Sequence, residues 1–158
     1  MKKIIKLISL FIGLILFFSC AEEQTENIKS FDKDESFYIQ FGTECGWCAG
    51  QEFIKITESK VVYTRTIPCG DNKGTISKNR VLIETEWDEL INSYDSEKFL
   101  ELDYNNCNVC VDGCDEIIRI GNEDSSHEIR YTPSENIESM QNLKTNLIEI
   151  MEEMRQQN

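Results

Sequence analysis

Seven cysteines and a single histidine hold most of the reactive chemistry in this chain of 158 residues. Six of the cysteines form two groups: Cys45-Gly46-Trp47-Cys48 with Cys69 downstream, and Cys107, Cys110 and Cys114. Three chemistries fit them. In an oxidising compartment an even set reads as a disulfide framework, with Cys48–Cys69 favoured by strand register and Cys45 left for the later group. Alternatively, Cys45 and Cys48 form a CxxC pair of the kind that carries a reactive thiolate in thiol–disulfide oxidoreductases. Thioredoxin-type sites, however, place Trp before the first cysteine and start a helix there, whereas Trp47 lies between the cysteines and a strand follows. The third reading is a tetrahedral zinc site from Cys45, Cys48, Cys107 and Cys110, weakened by the long separation of the two pairs. Stapling is the favoured reading.

The remaining polar chemistry is thin. Asp103, Asn105, Asn106, Asp112, Asp115 and Glu116 offer hard oxygens to calcium, but their spacing does not match a twelve-residue calcium loop, and a solvated loop is expected. His127 stands alone on a predicted strand beside a polar turn, so neither a catalytic triad nor a multi-histidine metal site is expected. No nucleophile, phosphate-binding loop or carboxylate pair stands out. The reading is therefore not an enzyme, with no catalytic residue, no metal and no cofactor.

The elements that position the cysteines follow from periodicity. Phe37, Ile39 and Phe41 alternate with Tyr38 and Gln40 as a half-buried strand ending at Gly42. Glu52 to Thr57 and Val61 to Ile67 read as a hairpin around Glu58-Ser59. Pairing about that centre sets Ile56 opposite Val61, Ile54 opposite Tyr63, Glu52 opposite Arg65 and, further out, Cys48 opposite Cys69. Gly70 to Asn79 reads as a loop, followed by the short apolar run Val81-Leu82-Ile83. A helix is expected from Thr85, with Asp88 completing an approximate capping box and Trp87, Leu90, Ile91 and Tyr94 forming its apolar stripe. Trp87 and Tyr94 are read as core. Phe99, Leu100 and Leu102 continue the burial, and Asp103 to Glu116 forms a cysteine-bearing loop. Ile118 and Ile120 lead into the turn GNEDSS and Ile129 and Tyr131 out of it, a second hairpin. Thr132-Pro133-Ser134-Glu135 reads as a helix start, with Ile137, Met140, Leu143, Leu147, Ile150, Met151 and Met154 as the buried stripe of a terminal helix. The expected fold is α+β: a largely antiparallel sheet of two hairpins plus an N-terminal strand, with a middle helix and a C-terminal helix on one face, stapled by disulfides.

Ahead of this domain, Met1 to Ser19 carries Lys2, Lys3 and Lys6 and then an apolar run from Leu7 to Phe18, too short for a membrane span and read as a signal peptide. It ends at Phe17-Phe18-Ser19-Cys20, which resembles the lipobox of bacterial lipoproteins. That resemblance implies a lipid (palmitate) anchor on Cys20, and Ala21-Glu22-Glu23 resembles the acidic tether of lipoproteins sent to the outer membrane and cell surface. The expected domains are residues 1–19 as signal peptide, 20–35 as lipidated N-terminus and flexible acidic linker, and 36–158 as one α+β domain. The formal charge is -13, and all three basic residues of the first 19 lie in the leader, which makes the exported part more acidic still. Such a surface disfavours nucleic acid and anionic lipid and suits a cationic partner.

FGTECGWCAGQEFIKITESKVVYTRT, the helix around Trp87, the FLEL run and the hairpin ending in IRYTP together resemble a family of bacterial secreted and lipoprotein domains of unknown function. The resemblance spans Phe37 to Met154 and departs from the family at Ala49-Gly50, where a Pro and an aromatic are expected. It implies an α+β fold and no known activity. The expected role is a membrane-anchored, non-catalytic binding or accessory module with a protein partner in the envelope or at the cell surface. The alternative is a thiol–disulfide oxidoreductase using Cys45 and Cys48.

Overall fold

The structure is a computed structural model describing Phe31 and residues 35–157; the leader and Cys20 lie outside the described residues. The fold is α+β. Six strands, β1 (Tyr38–Cys45), β2 (Gly50–Thr57), β3 (Lys60–Ile67), β4 (Gly74–Val81), β5 (Cys114–Gly121) and β6 (Ser126–Tyr131), form one antiparallel sheet in the order β4-β3-β2-β1-β5-β6. Helices α1 (Glu84–Asn92), α2 (Ser96–Leu100) and α3 (Gln141–Gln156) complete the architecture.

β1 is central because it pairs along its length with β2 on one side and β5 on the other. Its odd-numbered side chains meet their neighbours in apolar rows: Ile39 lies between Ile56 and Ile120, and Phe41 between Ile54 and Ile118, all fully buried. The β2–β3 register is the predicted one, with Ile56 opposite Val61, Ile54 opposite Tyr63 and Glu52 opposite Arg65. Trp87 packs its ring against Phe37, and Tyr94 packs against Phe99.

α3 lays Leu143, Leu147, Ile150, Met151 and Met154 into this core and crosses the sheet as it does so. Near its start Lys144 pairs with Glu116 of β5; near its end Arg155 forks onto Glu52 of β2 at 2.8 and 2.7 Å. The last turn reaches β4, where the Lys78 ammonium donates to the carbonyls of Met154 and Arg155 at 3.3 Å and also to that of Gln157. A cation there satisfies carbonyls that a helix end leaves without partners and complements the helix dipole. Arg80 of β4 joins Glu86 of α1 and Glu153 of α3, at 2.7 and 2.9 Å.

Five boundaries differ from the sequence reading. Gly74 to Asn79 is strand rather than loop, so the sheet has six strands. Its inward positions are Ile76, Lys78 and Arg80 and its outward ones Thr75, Ser77 and Asn79, which erases the apolar alternation; inward charge on an edge strand also opposes pairing with other chains. β1 continues past Gly42 to Cys45. A Cβ at Gly42 would lie 2.1 Å from the Glu52 carbonyl oxygen and 2.4 Å from the Phe53 ring, so this glycine admits a close neighbour instead of ending the strand. β5 likewise begins within the predicted loop, at Cys114. α1 starts at Glu84 and ends before Tyr94, and the carboxylate that accepts from its entry N–H is that of Glu86, not Asp88. The terminal helix starts at Gln141 and not at Pro133: Thr132 and Glu135 close a turn (N–H to carbonyl, 2.8 Å), and a 3-10 turn at Glu138–Met140 precedes the helix. Phe31, which the sequence places in the linker with packing back on the domain left open, is buried against Phe37.

Candidate functional site

At the end of the sheet where β1 gives way to β2, the core-facing positions cease to be apolar. Beyond the rows of Phe41, Ile54, Tyr63 and Ile118 come Thr43, Glu52, Arg65 and Glu116. Hydrophobic burial cannot fasten these rows, and covalent and ionic links take its place. Cys45 and Cys114, opposite one another on β1 and β5, are bonded with their Cα atoms 4.0 Å apart. Cys48 is bonded to Cys69, the pair favoured by the hairpin register, with Cα atoms 5.4 Å apart. Cys107 is bonded to Cys110 in the 3-10 turn Asn108–Val111, with Cα atoms 5.3 Å apart.

This pairing separates Cys45 from Cys48, so CGWC does not form one redox pair, and it divides the four cysteines of the zinc reading among three disulfides. Among the described residues no group of three or more His, Cys, Asp or Glu is gathered for a metal. The three bonds differ in what they constrain. In the chain-entropy account the closed loops correspond to about 4.4 kcal/mol for Cys45–Cys114, about 3.4 for Cys48–Cys69 and under about 2 for Cys107–Cys110.

The CGWC turn sits on the second cysteine loop. Gly46 donates its N–H to the Gly113 carbonyl at 2.8 Å, and a Cβ at Gly46 would lie 2.7 Å from the Val109 oxygen and 2.9 Å from the Asp112 Cα. Only a glycine permits that approach. The next residue, Trp47, is held at φ 52°, in the left-handed region that L side chains rarely adopt. Its side chain is 84% exposed, and Val111 on the adjoining loop is 79% exposed, the two largest exposures among the large apolar side chains described. Sequence reading placed the cysteines here but gave Trp47 no role. The signal was present: a tryptophan between two cross-linked positions has no core to enter.

The acidic loop is dispersed instead of convergent. Asp115 is fully buried and accepts from the N–H groups of Asn108 (3.0 Å) and Val109 (3.4 Å) and from the Asn108 amide (2.7 Å), with Arg130 at 3.5 Å. It organises the 3-10 turn. Glu116 pairs with Lys144, Asn106 donates to Thr132 at 3.2 Å, and Asp103 and Asp112 face solvent. Asn105 bridges to Arg130 of β6, and its neighbours Tyr104 and Asn106 hydrogen-bond the Arg130 backbone, covering that sheet edge. His127 shares a 2.9 Å hydrogen bond with the Leu102 carbonyl and sets its ring edge-on to Phe99, a packing role.

Titration is perturbed mainly at the contacts that hold α3 down. Arg155 holds the Glu52 carboxyl below its usual range, and Arg80 does the same for Glu86. Burial, helped by the Glu52 hydrogen bond, pushes the Tyr63 phenol up to about 12. Tyr131 is pushed up by burial and by the Glu116 charge. These are structural pairs. The open face of the sheet has a hollow of about 660 Å³ over Phe53 and Val62, with Lys55 and Lys60 beside it.

No family model matches the chain, and no curated protein matches it.

Proposed function

We propose that this protein is a lipid-anchored, non-catalytic binding or accessory module of the bacterial envelope, held to the outer membrane through Cys20, that meets a protein partner with its disulfide-bound end. The observation that carries the reading is Trp47, presented to solvent on a turn that two disulfides and the Gly46 contact hold in one conformation. A preordered aromatic loses little conformational entropy on docking, and Trp is enriched among the residues that dominate interface energetics. The acidic composition favours a partner whose contact surface is cationic.

The anchor is tested by mass spectrometry of the exported chain, which should carry acyl mass on Cys20 and lose it, together with membrane fractionation, in Cys20→Ser. Partner contact is tested by photo-crosslinking from position 111 in cells. A discrete adduct should form and should be lost with Trp47→Ala; an adduct of unchanged yield in that variant, or none in the parent, refutes the docking surface.

A further inference from the structure

We propose that Cys107–Cys110 is an exchangeable disulfide, a thiol-exchange site that accepts two electrons from a protein dithiol. The inference goes beyond the binding role and stands on different observations. Cys107-Asn108-Val109-Cys110 is the one CxxC spacing in the chain whose two sulfurs bond to each other, since Cys45 and Cys48 are bonded elsewhere. Both of its cysteines are exposed; in the other two bonds at least one partner is half-buried, since Cys45, Cys114 and Cys69 are half-buried and Cys48 is exposed. An attacking thiolate needs that access.

The bond is also the one the fold needs least. Cys45–Cys114 and Cys48–Cys69 span sequence separations of 69 and 21 and tie strand ends together; Cys107–Cys110 spans 3 and ties a turn to itself. That turn is held independently. Cys110 donates its N–H to the Cys107 carbonyl at 3.1 Å, and Gly113 donates to the Asn108 carbonyl at 2.7 Å. The buried Asp115 carboxylate accepts from the two N–H groups between the cysteines, and the Asn108 amide also reaches Thr132 at 3.1 Å. With the bond open, these contacts keep the two sulfurs near each other, so reclosure is an intramolecular reaction at high effective concentration.

A partner thiolate attacks one sulfur of the pair; the new mixed disulfide forms as the Cys107–Cys110 bond breaks, and the released sulfur takes a proton. The partner's second thiolate then attacks its own sulfur in the mixed disulfide, forming the partner's disulfide and releasing the second cysteine, which is also protonated. The dithiol is oxidised by two electrons and the pair reduced by two. Oxidised glutathione re-forms the bond: one cysteine thiolate attacks it, forming a mixed disulfide as one glutathione thiolate leaves, and the other cysteine thiolate then displaces the second glutathione thiolate.

The test uses the full chain with its disulfides formed. It is incubated with reduced glutathione under native conditions, quenched with N-ethylmaleimide and mapped by mass spectrometry. Cys107 and Cys110 should be alkylated at least tenfold faster than any other cysteine, without change in near-ultraviolet circular dichroism, and oxidised glutathione should restore the bond. Opening no faster than that of Cys48–Cys69, or only together with loss of the folded signal, overturns the proposal. In Cys107→Ser and Cys110→Ser, at least one surviving thiol should form a mixed disulfide with glutathione. A chain carrying both substitutions should melt cooperatively; if it does not fold, the bond is structural and the proposal fails.

Discussion

Replacing Cys45 and Cys114 by serine should be the most damaging of the three disulfide deletions, and its size can be worked from the connectivity. Taken alone, the bond closes the longest loop in the framework, with a sequence separation of 69. The Cys48–Cys69 bond is nested within that loop and short-circuits it, so the constraint acts on about 50 residues and is worth about 4.1 kcal/mol. A folded unit of about 120 residues unfolds with an entropy near 2.1 cal/mol/K per residue, so the double substitution should lower the melting temperature by roughly 16 °C. The same arithmetic gives roughly 13 °C for Cys48→Ser with Cys69→Ser, and under about 8 °C for Cys107→Ser with Cys110→Ser. Thermal melts of the three double variants, followed by circular dichroism without reductant, measure the order directly. A Cys45/Cys114 variant that melts within a few degrees of the parent would refute the reasoning. So would a series in which the short Cys107–Cys110 bond costs the most.

Four further outcomes follow from the packing. Leu147→Ala, at a fully buried position of α3, should cost about 3 kcal/mol in urea unfolding. Phe31→Ala should cost about 3 kcal/mol, so a chain beginning at residue 36 should be measurably less stable than one beginning at residue 31. Glu52 and Glu86 have carboxyls held below 4.5 by Arg155 and Arg80; the stability they supply is present above 4.5 and is lost as pH falls through their lower folded-state values. A pH series of urea midpoints should show that loss, and Glu52→Gln should flatten it. Trp47→Ala should change stability by less than about 0.5 kcal/mol while removing the crosslinked partner.

The centre of the fold was legible because its burial is two-sided in sequence. Ile39 and Phe41, Ile54 and Ile56, and Ile118 and Ile120 alternate with polar residues, and a pairing rule fitted to three rows of one hairpin also located a disulfide beyond it. β4 was not legible because its inward side chains are Lys78 and Arg80, whose partners lie on helices remote in sequence. A local window sees charges and glycines there and reads a loop. The start of α3 misled for a related reason: Thr132-Pro133-Ser134-Glu135 fits a helix start and a tight turn equally well, and only the distance the chain must travel from β6 decides between them. Cysteine partners after the first bond were out of reach because the antiparallel pairing of β1 with β5, which sets Cys45 beside Cys114, is a tertiary choice.

The position of the disulfides answers a physical problem in the sheet. One part of its inner face is apolar and covered by α1, α2, the aromatic residues around Phe37 and the buried stripe of α3. The other part turns polar at Thr43, Glu52, Arg65 and Glu116, and there Lys144 and Arg155, near the two ends of α3, join the helix to the sheet by ion pairs. Ion pairs with partial solvent access add little stability, and strand ends fastened only by them would fray. The two long-range disulfides close those ends covalently, and that rigidity lets the turn between them expose a tryptophan without its collapsing onto the sheet. Cys107–Cys110, by contrast, joins no strand ends and lies on a turn already held by Asp115. A bond placed where the fold does not need it is the one whose chemistry is free to be used.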